Sequence, residues 1–458
     1  MSNIPKQCYV TVNGADKKQT MAGFGVNINS KYWGDRLMPV MNLLTDELGA
    51  KLYRLDVFGM SNWIDEDGTL GKEKAFSQEN LDKVYSGKFA QNGAAMLRHL
   101  NSKGIEPYIT CSGDVPRWMN GDDGVTLQDY ESFTDMLITF IDWIRNKEKI
   151  KFSLFCPLNE TDIGQPEGPF VNPEEYVKVC QLLDAKLTQK GWDEIKFVVS
   201  EQANYDASYV NAFTACEALA KRVAVFGMHQ YFDYTPEKYA WVSNALTGAY
   251  ADKQMWMTEY GDLDQTGEKE WYIAWKSVER AIDFVKAGYH GGLQWDAYDN
   301  HHDHDDMWTI YGLIRYARYV ATPKKRFYGN KHLYRYVQPG FIHVGMQNTQ
   351  DDWRVNNDGV IHNDLKIAAF TSPCGYEISV VGMNTGTAPI ELEIHFADLP
   401  EILKKSHLHL FLTTEKDSCV QRPNLRFNDL YGGAWTKDRE SVVFVAPPES
   451  IFTVTSMQ

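Results

Sequence analysis

The sequence predicts an α/β fold: a (β/α)8 TIM barrel with a C-terminal β-sandwich side domain that an N-terminal strand completes. Three observations lead there. From about residue 22 to 325, short apolar runs alternate with helix-like stretches. After Pro323 the pattern changes to short alternating runs separated by turn residues. No Gly-rich phosphate loop follows an early strand, which disfavours a doubly wound open sheet: Gly23-Phe-Gly25 lacks a third glycine and leads into Asn27 and Asn29.

The expected barrel strands are Ala22–Ile28, Ala50–Phe58, Ile105–Ser112, Phe152–Asn159, Ile195–Glu201, Val223–Tyr231, Gln254–Tyr260 and Gly291–Ala297. They are short and rich in Val, Ile, Phe, Tyr and Trp, as parallel strands buried on both faces are. Helices are expected between them. Leu127–Lys147 carries an apolar stripe at Phe133, Leu137, Phe140, Ile141 and Ile144. Pro173–Gly191 has Asn172 as N-cap before a proline at the first helical position, and Trp271–Gly288 ends on a glycine suited to a C-cap. The later strands are Phe341–Val344, Leu365–Phe370, Tyr376–Gly382, Ile390–Phe396, His407–Leu412, Val442–Val445 and Ile451–Val454, with turns at Asn384-Thr-Gly386 and Tyr431-Gly-Gly433. Cys8–Asn13 offers one more strand to that sandwich. The expected organisation is therefore residues 1–20 as the N-terminal strand, 21–330 as the barrel and 331–458 as the side domain.

Composition narrows the class. An apolar content of 43% with 23% charged residues is that of a globular chain. The net charge of −15 argues against nucleic acid, whose affinity comes from Lys and Arg on phosphates. Seven cysteines, without a CxxC motif, read as free thiols in a reducing compartment or on a bacterial export route without disulfides. No run reaches membrane-spanning length. The expected location is cytoplasmic, or secreted or periplasmic if a signal peptide has been removed.

Two carboxylates carry most of the functional information. Glu160 ends Phe152-Ser-Leu-Phe-Cys-Pro-Leu-Asn-Glu160, and Glu259 ends Gln254-Met-Trp-Met-Thr-Glu259. Each sits where a strand meets a polar loop, and a β/α barrel concentrates its chemistry at the C-terminal ends of its strands. A pair of carboxylates so placed can cleave a glycosidic bond, one as acid/base and the other as nucleophile. Retention would put the two carboxyl groups about 5–5.5 Å apart, inversion roughly 6.5–9.5 Å. A nucleophilic carboxylate needs hydrogen-bond donors around it, and Arg54 and Tyr231 are positioned to supply them. Asp56, Asn159 and His229 complete the polar part of the expected substrate-binding set, with Trp118 and Trp295 as sugar-stacking walls. Glu201, ending the fifth strand, and Asp56 are rival carboxylates.

The same residues resemble clan A of the retaining glycoside hydrolases, and within it glycoside hydrolase family 30. The matching motifs are Gly23-Phe-Gly25, Ser112…Pro116-Arg-Trp118-Met, Leu158-Asn-Glu160, His229-Gln-Tyr231, Trp256-Met-Thr-Glu259 and Lys325-Arg-Phe-Tyr328…Tyr336-Val-Gln-Pro-Gly340-Phe, so the likeness spans nearly the whole chain. It implies an acid/base after Asn159, a nucleophile on strand seven, and a side sandwich that recruits an N-terminal strand. Two departures stand out. Val26 and Asn27 follow Gly25 where the family often has Gly-Gly. A His/Asp loop, Asp299-Asn-His-His-Asp-His-Asp-Asp306, stands where its glucuronoxylanases carry Arg and Tyr, which argues against a glucuronate-bearing xylan.

The resulting expectation is double-displacement hydrolysis of a neutral β-linked glycan of the β-glucan, β-galactan or β-xylan type, without cofactor or metal. Two rival readings are a non-catalytic carbohydrate-binding barrel and a metal-dependent hydrolase using His301, His302 and His304.

Overall fold

The computed structural model describes residues 6–56, 63–302, 306–348, 364–404, 407–427 and 441–458. After strand β1 (Lys6–Thr20), eight strands close a parallel barrel: β2 (Gly23–Asn27), β3 (Leu52–Asp56), β4 (Tyr108–Thr110), β5 (Leu154–Cys156), β6 (Lys196–Gln202), β7 (Val223–Gln230), β8 (Gln254–Tyr260) and β9 (Gly291–Gln294). Closure is made by β2 against β9, with Gly23 paired to Gly291. All eight expected barrel strands are present: Gln254–Tyr260 has the expected bounds, Lys196–Gln202 is shifted one residue along the chain, and the other six are shorter than expected. The extension of the second to Phe58 lies outside the described residues.

Tyr108, Cys156, Val198, Val225, Trp256 and Leu293, one from each of β4 to β9, form a single buried cluster. Burying each large apolar side chain contributes roughly 1.5–3 kcal/mol. Arg54 lies over this layer, its guanidinium carbon 5.7 Å from the centre of the Tyr108 ring. The charged groups at the barrel mouth therefore rest on a close-packed floor.

The helices begin where their caps dictate. Asn172 accepts a hydrogen bond from the Glu175 amide at 3.0 Å, and the helix runs Pro173–Gln189. The helix expected from Leu127 starts instead at Tyr130, because Asp129 caps it by accepting from Ser132 N. Its stripe of Phe133, Leu137, Phe140, Ile141 and Ile144 is buried, as a core-facing helix requires. The third expected helix runs Glu270–Lys286.

The side domain is one nine-stranded sheet that folds over a shared core. β1 enters it between two later strands, antiparallel to Ile342–Asn348 and parallel to Ile390–Ala397. Val10 and Val12 thereby join Val380, Leu392, Phe444, Phe452 and Val454 in one cluster. The Phe444 and Phe452 rings meet edge to face across it, 5.1 Å between centroids. Strand Val420–Arg426 was not expected: of its side chains only Leu425 is buried, and Pro423 sits within it, so it shows no alternation. Tyr431-Gly-Gly433 lies outside the described residues.

Helix Lys325–Tyr334 joins barrel to sandwich. Its fully buried Arg326 pairs with Glu270 at 2.7 Å. His332, also fully buried, lies 2.7 Å from Thr453 Oγ1 and 2.8 Å from Thr413 Oγ1.

Candidate active site

Five strand ends converge at the C-terminal mouth of the barrel. β3 supplies Arg54, β6 Glu201, β7 His229 with Tyr231 just beyond, and β8 Glu259. Asn159 and Glu160 lie beyond the end of β5, after Pro157 and Leu158. The Arg54 guanidinium lies at the centre, donating from Nη1 to Glu259 Oε1 at 2.6 Å and Asn27 Oδ1 at 2.8 Å, and from Nη2 to Asn159 Oδ1 at 2.5 Å. The same Nη2 lies 2.9 Å from Glu201 Oε2. The other Glu259 oxygen accepts from the Tyr231 hydroxyl at 2.6 Å. His229 Nδ1 lies 2.6 Å from Glu160 Oε1, and its Nε2 lies 3.3 Å from Glu201 Oε2.

The backbone is bent to make this arrangement. Glu160 has φ +40° and Glu201 has φ +47°, in the left-handed region where a non-glycine residue is strained by about 1–3 kcal/mol. The Glu160 amide donates to the Glu201 carbonyl at 2.8 Å, which ties the two bends together. Room for the Glu201 side chain comes from Gly227 on β7, where a Cβ would lie 1.8 Å from Glu201 Oε1.

Two carboxylates on one guanidinium, with Glu160 beside His229, leave an excess of negative charge, and the cluster answers by holding protons. Burial raises the Glu160 pKa; His229 pulls against the rise, while the charges of Glu259 and Asp162 add to it. Burial would lower His229, but the negative charges of Glu259 and Glu160 raise it well above the ordinary histidine value. For Glu201 burial is outweighed by Arg54 and then His229, which hold its carboxyl down to about 2. Glu201 is thus held as an anion beneath the cleft at neutral pH, and it is completely inaccessible.

The cleft above is a cavity of about 200 Å³. Asp56, Asn159, Glu160, Tyr231, Glu259 and Trp295 line it, with Arg54 at its floor. Of the residues expected at the site, Trp118 is not among those lining the cleft. Its indole nitrogen donates to Asp65 Oδ2 at 3.2 Å and its ring packs edge-on against Phe76, so it braces the long β3 connection. His229 is placed beneath the cleft, with both ring nitrogens directed at carboxylates rather than at open space. Trp295 borders the cleft with its ring 5.1 Å from that of His302.

Sequence reasoning missed Glu167, Asp296 and Tyr311, which also line the cleft. Two of them had a signal: Asp296 follows Trp295 at the end of the eighth expected strand, and Glu167 lies in Gln165-Pro-Glu-Gly168, in the loop after Glu160.

Among the described residues, one group could hold a metal ion by proximity: Glu160, His229 and Glu259, with one ligand atom from each within 4.8 Å of the others. Its atoms are already committed. Glu259 accepts from Arg54 and Tyr231, and His229 sits at hydrogen-bond distance from Glu160, so a cation there would face a guanidinium. Of the histidine-rich loop, His302 Nε2 lies 3.2 Å from Asp296 Oδ2 and His301 Nε2 lies 3.8 Å from Asp306 Oδ1; His304 lies outside the described residues. None of the cysteines is disulfide-bonded, and no helix among the described residues is long and apolar enough to cross a membrane.

Neither a protein-family model nor a curated protein sequence matches the chain. Solved structures do. A glycoside hydrolase family 30 endoxylanase from Clostridium papyrosolvens superposes with a TM-score of 0.71 at 18% identity, over 97% of this chain and 99% of that one. An endo-β-1,6-glucanase gives 0.68 at 16% identity, over 98% and 94%. A family 51 α-L-arabinofuranosidase from Bifidobacterium longum gives 0.64 at 13% identity, over 99% of both. Over essentially its whole length the chain shares the architecture of these glycoside hydrolases, a TIM barrel carrying a β-sandwich side domain.

Proposed function

We propose that the protein is a retaining β-glycoside hydrolase acting on a neutral β-linked glycan. One observation carries the reading: an oxygen of Glu160 and an oxygen of Glu259 lie within 4.8 Å of each other at the mouth of a barrel, in a cleft with an aromatic wall at Trp295. That spacing favours the roughly 5–5.5 Å of retention over the 6.5–9.5 Å that leaves room for an inverting water. Glu259 attacks the anomeric carbon while Glu160 protonates the leaving oxygen. Water then opens the glycosyl-enzyme, with Glu160 as base. Arg54 and Tyr231 fix the attacking carboxylate with one donor on each oxygen. Burial raises the Glu160 pKa, the direction a proton donor for the first step requires.

The fold leaves the substrate open, since it also carries an α-L-arabinofuranosidase. The lining favours an uncharged sugar: the carboxylates of Asp56, Glu259 and Asp296 stand against Arg54, so a polyanionic chain would be repelled. Digestion of a glycan panel, read by mass spectrometry for product length and by NMR for anomeric configuration, tests this. A β product released first from a β-linked substrate supports the reading. An α product would mean inversion, and silence across the panel would favour a non-catalytic carbohydrate-binding barrel.

A further inference from the structure

The loop between Glu160 and helix Pro173–Gln189 crosses the barrel mouth and is tied down through its backbone. Gly113 N donates to Glu167 O at 2.8 Å, Phe170 N to Val125 O at 2.8 Å, and Val171 N to Thr161 O at 3.1 Å. The Thr161 hydroxyl donates to Pro169 O at 2.6 Å. These bonds fix the path of the loop and bring Glu167 to the lining of the cleft together with Glu160. Asn159 links it to the centre of the site: Oδ1 accepts from Arg54, and Nδ2 donates to Glu167 Oε2 at 3.3 Å. The side-chain amide expected to meet a sugar hydroxyl is thus engaged on both ends, and its donor end meets Glu167.

We propose that Glu167 is a substrate-binding, specificity-determining residue of this site, its carboxyl hydrogen-bonding a hydroxyl of the sugar next to the scissile bond. The inference rests on the glycosidase reading above. The electrostatics suit the role. Burial first, then the charges of Glu160, Glu259 and Asp56, push the Glu167 pKa up to about 8, with His229 pulling against them. At neutral pH it is therefore a neutral carboxylic acid, able to donate and accept at once, as a sugar hydroxyl is. Above that pH it becomes an anion that only accepts.

The test is the kinetics and pH profile of the wild type, Glu167→Gln and Glu167→Ala on the best substrate of the glycan panel. Glu167→Ala should raise KM about tenfold with kcat within about threefold, the pattern of lost substrate binding. Glu167→Gln keeps both a donor and an acceptor, so its KM should match the wild type at pH 7. It should also hold above pH 8, where the wild-type KM climbs. Because the amide is isosteric, this pH contrast stays readable even if the alanine variant folds poorly. Wild-type KM and pH profile in both variants overturn the inference. So does a fall in kcat at constant KM, which marks a strut that positions Glu160. A wild type that cleaves nothing removes the glycosidase reading and the inference with it. Turnover by the wild type with unaltered variants removes the inference alone.

Discussion

Arg54→Met is the perturbation that asks most of the structure. The guanidinium is 3% exposed and is shared by Glu259, Glu201, Asn159 and Asn27. Methionine fills the volume but leaves two buried carboxylates without their cation, and breaking a buried pair in this way costs about 3–5 kcal/mol. Glu201 gives an independent figure. Its folded pKa, depressed from 4.5 to about 2, corresponds to on the order of 3 kcal/mol of native-state stability. Because the folded value is the lower one, that contribution is present in full above the unfolded carboxylate range and fades as pH falls toward 2. In the variant His229 still opposes burial, but without Arg54 the Glu201 pKa is driven up and the carboxyl takes up a proton more readily. The difference between wild type and variant should therefore be large at pH 7 and shrink steadily below about pH 4. Urea denaturation of both proteins across this range measures it. A difference that is the same at pH 7 and pH 3, or that stays under about 1 kcal/mol throughout, would refute the idea that Arg54 holds the carboxylate cluster together.

Other outcomes follow from the same structure. Glu160→Ala should lower the rate about 10²–10⁴-fold on natural glycans and less on aryl glycosides with good leaving groups, and azide should restore turnover; equal losses with no azide effect would remove Glu160 as acid/base. His332, buried between helix Lys325–Tyr334 and the sandwich, is pushed down to about 3 by burial and the Lys331 charge. It is neutral when folded and charges on unfolding, so stability should fall as pH drops from about 6.5 toward 3, by on the order of 4–5 kcal/mol in all. His332→Gln should flatten that acid limb in thermal melts, and an unchanged slope would contradict the assignment.

The barrel was legible because eight parallel strands buried on both faces leave compact apolar runs, and β1 because Cys8–Asn13 alternates. Strand Val420–Arg426 was not, since an exposed edge strand with a proline has no alternation to read. Nor were the helices Gly71–Ala75 and Gln78–Ser86, in a stretch that reads as a loop. Glu160, Glu259, Arg54 and Tyr231 were legible at the site because strand ends in a barrel converge by construction of the fold. What escaped was direction and depth. Whether His229 meets a sugar or lies beneath two carboxylates depends on side-chain packing, and so does whether Trp118 faces the cleft or Asp65. Glu167 lies in a loop whose path is set by hydrogen bonds to the distant Gly113 and Val125, a constraint no local pattern encodes.

Covalent trapping tests the central claim most directly. The protein is incubated with an activated 2-fluoro glycoside matched to its best substrate, digested, and its labelled peptide sequenced by mass spectrometry. One fluorosugar on Glu259, and no label on Glu259→Gln, is the predicted result. A label on Glu160 or Glu201, or first-step inactivation with no covalent adduct, would contradict the assignment of Glu259 as the attacking carboxylate.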